Sequence, residues 1–197
     1  MRRIQGQLES ELDEQGISQA KDRGKDFIDM PLLAAYSSSS VRTRQTIANL
    51  LGARTDKVVF MDELREVHFG VWQGLMWEDV EAAHPQMVDA FRKALPHYYV
   101  EGAETPQQIQ SRGVKAIEEL INRHTGADED ANILVVSHGD IMKKLLGHYA
   151  GIKLTELHRL PMLPNCAHCI VEVSDTQRAV TQIAGEAIEH TAWAEHL

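Results

Sequence analysis

At 197 residues, 43% of them hydrophobic and 25% charged, the chain has the length and balance of one ordinary domain spanning 1–197 with a sizeable core. A formal net charge of -9 argues against a surface that grips nucleic acid, yet a few arginines converging in one pocket still allow a small anionic substrate. No apolar run is long enough for a membrane span, Met1 to Gly6 lacks a leader's apolar stretch, and two cysteines make no disulfide framework, so the expected address is cytoplasmic.

In chain order, a first helix is expected from about Asp13 to Ile28, with Asp13 at its cap and Ile17, Ala20 and Phe27 as its apolar stripe. Leu33 to Ser37 reads as a short buried strand, followed by a helix through Thr43, Ile47, Leu50 and Leu51 that Gly52 ends. Val58 to Met61 reads as another strand. The aromatic-rich stretch from Trp72 to Val100 is expected to hold helices forming a lid or side wall. Thr105-Pro106-Gln107-Gln108 carries the signature of a capping box with proline at the first helical position.

Ile133 to Val136 is the best buried strand, apolar on both faces as a parallel sheet requires, and a helix through Ile141, Leu145 and Tyr149 follows it to Gly151. Two late strands, near Cys166 to Val173 and Ala179 to Ile183, pair as a hairpin around Ser174-Asp175-Thr176. This alternation predicts an α/β three-layer sandwich, a mostly parallel sheet flanked by helices.

Three segments carry candidate chemistry. Val136-Ser137-His138-Gly139-Asp140 places a histidine where a buried strand empties into a helix, the usual ligand position of an open α/β sheet; the plainer reading is a satisfied strand-end histidine. Ser37 to Thr46 puts Arg42 in the first turn of a helix, unfavourable for the helix dipole unless the guanidinium serves a bound phosphate; a solvated arginine face is the alternative. Leu64 to Gly74 offers Glu66 and Glu63 as proton donors beside such a pocket, and Arg65 as a partner for either. Spacing does not choose between the two glutamates.

Cys166-Ala167-His168-Cys169 looks like half a metal site, but residues three apart on a strand face opposite sides, and no second pair completes it. His190 and His196 read as solvated tail residues, and Trp72, Trp77 and Trp193 are as readily packing groups as ligand platforms.

Taken in order, these segments resemble the histidine phosphatase superfamily, the phosphoglycerate-mutase-like clan. Arg3-Ile4-Gln5-Gly6, then Leu12-Asp13, Gly16 and Gln19-Ala20, is similar to its R-x-Q-G … L-T-x-x-G-x-x-Q-A segment. Ser37-Ser38 through Arg42 and Thr46 is similar to S-S-D-L-x-R-A-x-x-T-A, with Ser39 and Ser40 in place of aspartate and leucine. Leu64 to Gly74 follows L-x-E-x-x-F-G-x-W-E-G with Gln73 for the second glutamate; Gly102 to Thr105 with Arg112, and Val136 to Gly139, match two further motifs.

The resemblance implies that Arg42 binds the transferred phosphoryl group and that Glu66 is the acid for the leaving oxygen. His138 would be the second histidine of the phosphate pocket, bordered by Gln5 and Gly6. It implies a small phosphorylated metabolite as substrate, no metal and no other cofactor. Its R-H-G motif, whose histidine attacks phosphorus at the end of an interior first strand, has no counterpart in this sequence, and none of the ten histidines replaces it. A chain without that strand is expected to leave unpaired backbone and uncovered apolar side chains, and a complete form to carry R-H-G upstream. Phosphomonoester hydrolysis is the leading expectation, impaired in the chain as it stands. Mutase activity and non-catalytic binding of a phospho-ligand are the alternatives. The leaving group and the oligomeric state are open.

Overall fold

A computed structural model describes residues 3–127, 131–161, 163–175 and 177–187. His190, Trp193 and His196 lie outside them. Helix α1, Glu14–Gly24, is capped by the Asp13 carboxylate, which accepts from the Gly16 N–H at 2.7 Å, and it continues as a 3-10 turn over Lys25–Phe27. Strand β1, Leu32–Ser38, helix α2, Val41–Leu51, and strand β2, Val58–Met61, follow in the order expected. The aromatic stretch yields two short helices, α3 at Trp77–Ala83 and α4 at Pro85–Arg92. Helix α5, Pro106–Arg123, begins with the full capping box: Thr105 Oγ1 accepts from the Gln108 N–H while the Gln108 side chain accepts from the Thr105 N–H. Strand β3, Asn132–Val136, runs directly into helix α6, Gly139–Tyr149.

Strands β2, β1 and β3 form one parallel sheet in that order, and its two faces are covered by different helices. Side chains alternate across a strand, so Tyr36, Ile133 and Val135 meet Ala116 and Leu120 of α5, whereas Ala35, Leu134 and Val136 meet Ile47, Leu50 and Leu51 of α2. That is the three-layer sandwich. Ile47 is 1% exposed, and burial of a side chain of its size stabilises by about 1.5–3 kcal/mol.

Beside the sheet, α3 and α4 enclose an aromatic cluster of Phe69, Trp72, Phe91 and Tyr98. Trp77 meets Phe69 edge-on at 5.6 Å, so both described tryptophans are packing groups. The late segment forms a second, antiparallel sheet of β4 (Ile170–Val173), β5 (Arg178–Ile183) and β6 (Glu186–Ala187), whose Val180 and Ile183 pack against Leu146 of α6.

Two expectations need correction. Strand β3 is not buried on both faces: all five of its residues are half-exposed, because it forms the open edge of its sheet. Among the described residues no strand precedes α1, and none pairs with β3 on that side. Strand β4 also starts later than expected. Cys166 has φ +57° and lies in a turn closed by the Ala167 N–H on the Pro164 carbonyl, so opposite strand faces do not separate Cys166 from Cys169. Both thiols are free, and among the described residues no three Cys, His, Asp or Glu side chains gather closely enough to hold a metal. No helix among those residues is long and apolar enough to cross a membrane.

Candidate active site

Strands β1 and β3 run parallel with Ser37 opposite Val136, so their carboxyl ends deliver Ser38 and His138 to one place. His138 occupies the cap position of α6 and is buried; its Nε2 lies 2.8 Å from Ser38 Oγ. Burial, with the positive charges of Arg42, Arg65 and Arg112 added, pushes the imidazole down to about 3. The ring is therefore neutral near pH 7.

The free N–H groups at the head of α6 were expected to face an anion. In this structure the Glu66 carboxylate fills that role: the Asp140 N–H donates to Oε2 and the Ile141 N–H to Oε1, both at 3.3 Å. A third donor, the Val67 N–H, lies 3.0 Å from Oε1. Despite these donors, enclosure of the carboxylate and then the Asp140 charge push Glu66 up to about 7. Glu66 is thus poised between acid and base near neutrality. Glu63 instead projects from an exposed turn, and only its backbone carbonyl is used, by Arg112.

Arg42 sits in the first turn of α2, where its cation opposes the helix dipole. Two backbone carbonyls offset this: Nη2 donates to Gly6 at 2.7 Å and Nη1 to Leu8 at 3.0 Å. Burial lowers the guanidinium pKa, while the charges of Glu66 and Glu9 raise it. Gly6 has φ +54° and is buried, and an added Cβ would come within 2.4 Å of Gln73 Oε1. Its neighbour Gln5 is exposed, at the rim of this arrangement. The structure therefore brings Arg42, Glu66, His138 and Gly6 together and leaves Gln5 outermost.

Several supporting residues had no role assigned from sequence. Glu9 Oε2 accepts from the Val41 N–H at 2.8 Å and its Oε1 pairs with Arg65 at 2.5 Å, so this carboxylate caps α2 where Ser40 does not. Arg112 ties Glu104 at 2.8 Å and the carbonyls of Glu63 and Arg65 into one knot that fixes the Glu66 loop. Ser39, at a position where the resembling motif has aspartate, hydrogen-bonds the Asp62 carboxylate and receives Arg65 Nη1 at 3.2 Å. Asp62 thus returns the missing negative charge to that corner. Gln73 is retained in a similar way, accepting from the Gln7 N–H at 2.7 Å. A cluster of acidic and amide residues flanking an arginine was the signal, but chain distances of up to 66 residues hid most of the pairings.

A profile of the histidine phosphatase superfamily (branch 1) matches residues 1–184. The chain belongs to that superfamily. Among similar branch members is the metal-independent phosphoserine phosphatase of Arabidopsis thaliana, 29% identical over 181 residues, which are 88% of this chain and 70% of that protein. The glucosyl-3-phosphoglycerate phosphatase of Mycobacterium tuberculosis (strain ATCC 25618 / H37Rv) is 36% identical over 155 residues, 73% of this chain and 66% of its own length. Of solved structures, Bacillus stearothermophilus YhfR superposes with a TM-score of 0.84 at 29% identity, covering 96% of this chain and 91% of the other. Histidine phosphatases of these kinds act on small phosphorylated metabolites.

Proposed function

We propose that this chain is the phosphate-gripping and acid-bearing part of a phosphomonoester hydrolase that works through a phosphohistidine. The observation that carries the reading is the convergence of Arg42, Glu66 and His138 at the carboxyl ends of β1 and β3. In the intact form, an upstream histidine attacks phosphorus, an N–P bond forms and the ester P–O bond breaks. Glu66 gives its proton to the leaving oxygen. Water then attacks phosphorus, Glu66 takes back a proton, and the N–P bond breaks to release phosphate. Arg42 holds the equatorial oxygens, and neutral His138 donates its ring N–H to them as charge develops. No matching nucleophile stands in this sequence, so by itself the chain turns substrate over poorly or not at all.

Supporting the same reading, the half-exposed apolar edge of β3 fits a sheet that accepts one further strand. Relatives bear names of phosphatases for phosphoserine and glucosyl-3-phosphoglycerate, so a phosphorylated small metabolite is the proposed substrate, with a cytoplasmic address to match. Non-catalytic phosphate binding is the second reading, favoured by the absent R-H-G motif. Mutase activity, which the name of a probable phosphoglycerate mutase of Erwinia tasmaniensis carries, is the third.

Phosphate binding to the given chain, followed by 31P NMR, tests the grip. Adding the native upstream coding segment, or a grafted strand ending in R-H-G, tests the chemistry. Phosphate release from phosphomonoesters after that extension supports hydrolysis, and isomerisation of phosphoglycerate without release supports a mutase. Binding with no turnover after extension favours the non-catalytic reading. Phosphate affinity that ignores Arg42 overturns the site itself.

A further inference from the structure

The segment that anchors Arg42 is tied to the loop after Glu66 first by backbone and then by side chains. Ile4 donates to the Leu75 carbonyl and accepts from the Gly74 N–H, both at 2.8 Å, in a short antiparallel bracket. Gly6 then turns the chain with φ +54°, and the Gln73 side chain continues the pairing: its Oε1 accepts from the Gln7 N–H at 2.7 Å. That oxygen lies only 2.4 Å from where a Gly6 Cβ would stand. Gln7 in turn donates its side-chain amide to the Glu66 carbonyl at 2.9 Å, and the Gly6 carbonyl receives Arg42 Nη2 at 2.7 Å. Gln73 therefore holds in place the carbonyl that orients the arginine.

The other end of the Gln73 amide is mismatched. His68 Nδ1 accepts from the Gly70 N–H at 3.1 Å, and a ring that accepts there holds its proton on Nε2. Because Gln73 Oε1 is taken by Gln7, its NH2 group is the one facing His68 Nε2, at 3.3 Å. Two donors thus meet with no acceptor between them. Glutamate in place of Gln73, as in the resembling motif, would accept from the Gln7 N–H and from His68 Nε2 at once. The amide forgoes one of those bonds. What it spares is charge: a carboxylate beside Gly6 would share the field of Arg42 with any incoming phosphate.

We infer that Gln73 is a positioning residue for the phosphate site, and that its amide gives up a hydrogen bond with His68 to keep negative charge away from the bound anion. This rests on the reading of Arg42 as the arginine that binds the phosphoryl group. Gln73 does not touch the phosphate; it acts through Gly6 and Arg42. Stability and affinity are therefore opposed at this one position. Glutamate suits the fold, because it satisfies both Gln7 and His68, and glutamine suits the ligand. A residue with a purely structural role would move the two together.

Calorimetry with inorganic phosphate on this chain, paired with urea denaturation, reads both quantities. Gln73→Glu is expected to raise the denaturation midpoint while weakening phosphate binding about 3- to 30-fold, a loss that shrinks as salt is added. In a His68→Phe background the same change no longer stabilises, because the Nε2 donor is gone, yet it still weakens phosphate. Gln73→Met is neutral and of similar length but offers Gln7 no acceptor, so it weakens phosphate about 2- to 10-fold with no added salt dependence. Nitrogen NMR of the parent places the His68 proton on Nε2. The inference is refuted by a proton on Nδ1, by a lowered midpoint or undiminished phosphate affinity in Gln73→Glu, or by full affinity in Gln73→Met. Those results leave the phosphate site standing so long as Arg42→Ala still weakens binding. Phosphate affinity that ignores Arg42 defeats the reading of that arginine, and this inference with it.

Discussion

His138 Nε2 and Ser38 Oγ lie 2.8 Å apart, so the ends of β3 and β1 are joined by side chains as well as by the sheet ladder. The contact holds the imidazole among three arginines, in surroundings hostile to its protonation. On the far side of the same strand end, Glu66 is held where its ionisation is disfavoured. An imidazole kept neutral beside a carboxyl kept partly protonated leaves Arg42, Arg65 and Arg112 to set the charge that an incoming ligand meets. That is a setting for an anion.

These two groups oppose each other in stability against pH. His138 is pushed down to about 3, below its unfolded value, so its contribution is present above about 6.5 and is lost as pH falls toward 3. Glu66 is pushed up to about 7, so its contribution is full below about 4.5 and is lost as pH rises through 7. Denaturant titrations between pH 4.5 and 6.5 should therefore tilt in opposite directions for the two variants. Glu66→Gln loses stability on acidification and His138→Gln loses it on alkalinisation, each by roughly 1 kcal/mol per pH unit, so the two profiles diverge by roughly 2 kcal/mol per pH unit. Parallel profiles would show that neither group is held in the proposed state.

Gly70 fixes the loop that carries Glu66. Its φ is +55°, and an added Cβ would fall 1.9 Å from the Glu101 carbonyl oxygen and 2.5 Å from the Ala103 nitrogen, both backbone atoms with no freedom to retreat. Gly70→Ala should cost on the order of 3 kcal/mol in urea denaturation, or abolish folding. Gly52 has φ +54° and ψ -120° with open space around its Cβ, so Gly52→Ala should show only the penalty of that sparsely populated backbone, about 1–3 kcal/mol. Equal losses at the two positions would remove the clash from the explanation.

Local signals in the sequence located nearly every element. Asp13 and Thr105 announced their helices because a cap acts through residues two or three away, and the apolar run Ile133 to Val136 announced a strand. That same run misled on burial. Apolarity on both faces reports what a strand is suited to, whereas its exposure depends on a neighbour that no local pattern contains. Arg42 and His138 stood out because each sits where a strand meets a helix, whereas Glu66 was separated from Glu63 only by the family resemblance. Glu9 and Asp62 did not stand out, since their partnerships arise only when distant segments are packed together.

Arg112 is the tie between α5 and the acid loop, through the Glu104 carboxylate and the carbonyls of Glu63, Arg65 and Glu66. Truncation to alanine strips Glu104 of its cation, leaving it only the His68 N–H, and takes the donor from the Glu63 and Arg65 carbonyls, while the Glu66 carbonyl keeps the Gln7 side chain. Arg112→Ala should lower stability by about 2–4 kcal/mol in equilibrium unfolding. Arg112→Lys keeps the charge but lacks the planar fork, and should recover less than half of that loss. Full rescue by lysine would mean that charge alone, not the multi-point geometry, secures the loop.

Arg42 separates charge from geometry at the phosphate site itself. Two of its N–H groups are anchored on Gly6 and Leu8, which orients the guanidinium and leaves its other donors for an anion. Arg42→Ala removes both donors and charge, and should weaken inorganic phosphate binding by about 1.5–3 kcal/mol, roughly 10- to 150-fold. Arg42→Lys restores a positive charge but cannot span two carbonyls and an anion together, so its affinity should fall between the two. Calorimetry with phosphate or vanadate reads the difference, and far-UV circular dichroism checks that α2 survives. An alanine variant that is folded and binds phosphate as tightly as the parent would mean that the anion sits elsewhere, and the convergence of Arg42, Glu66 and His138 would then have no catalytic meaning.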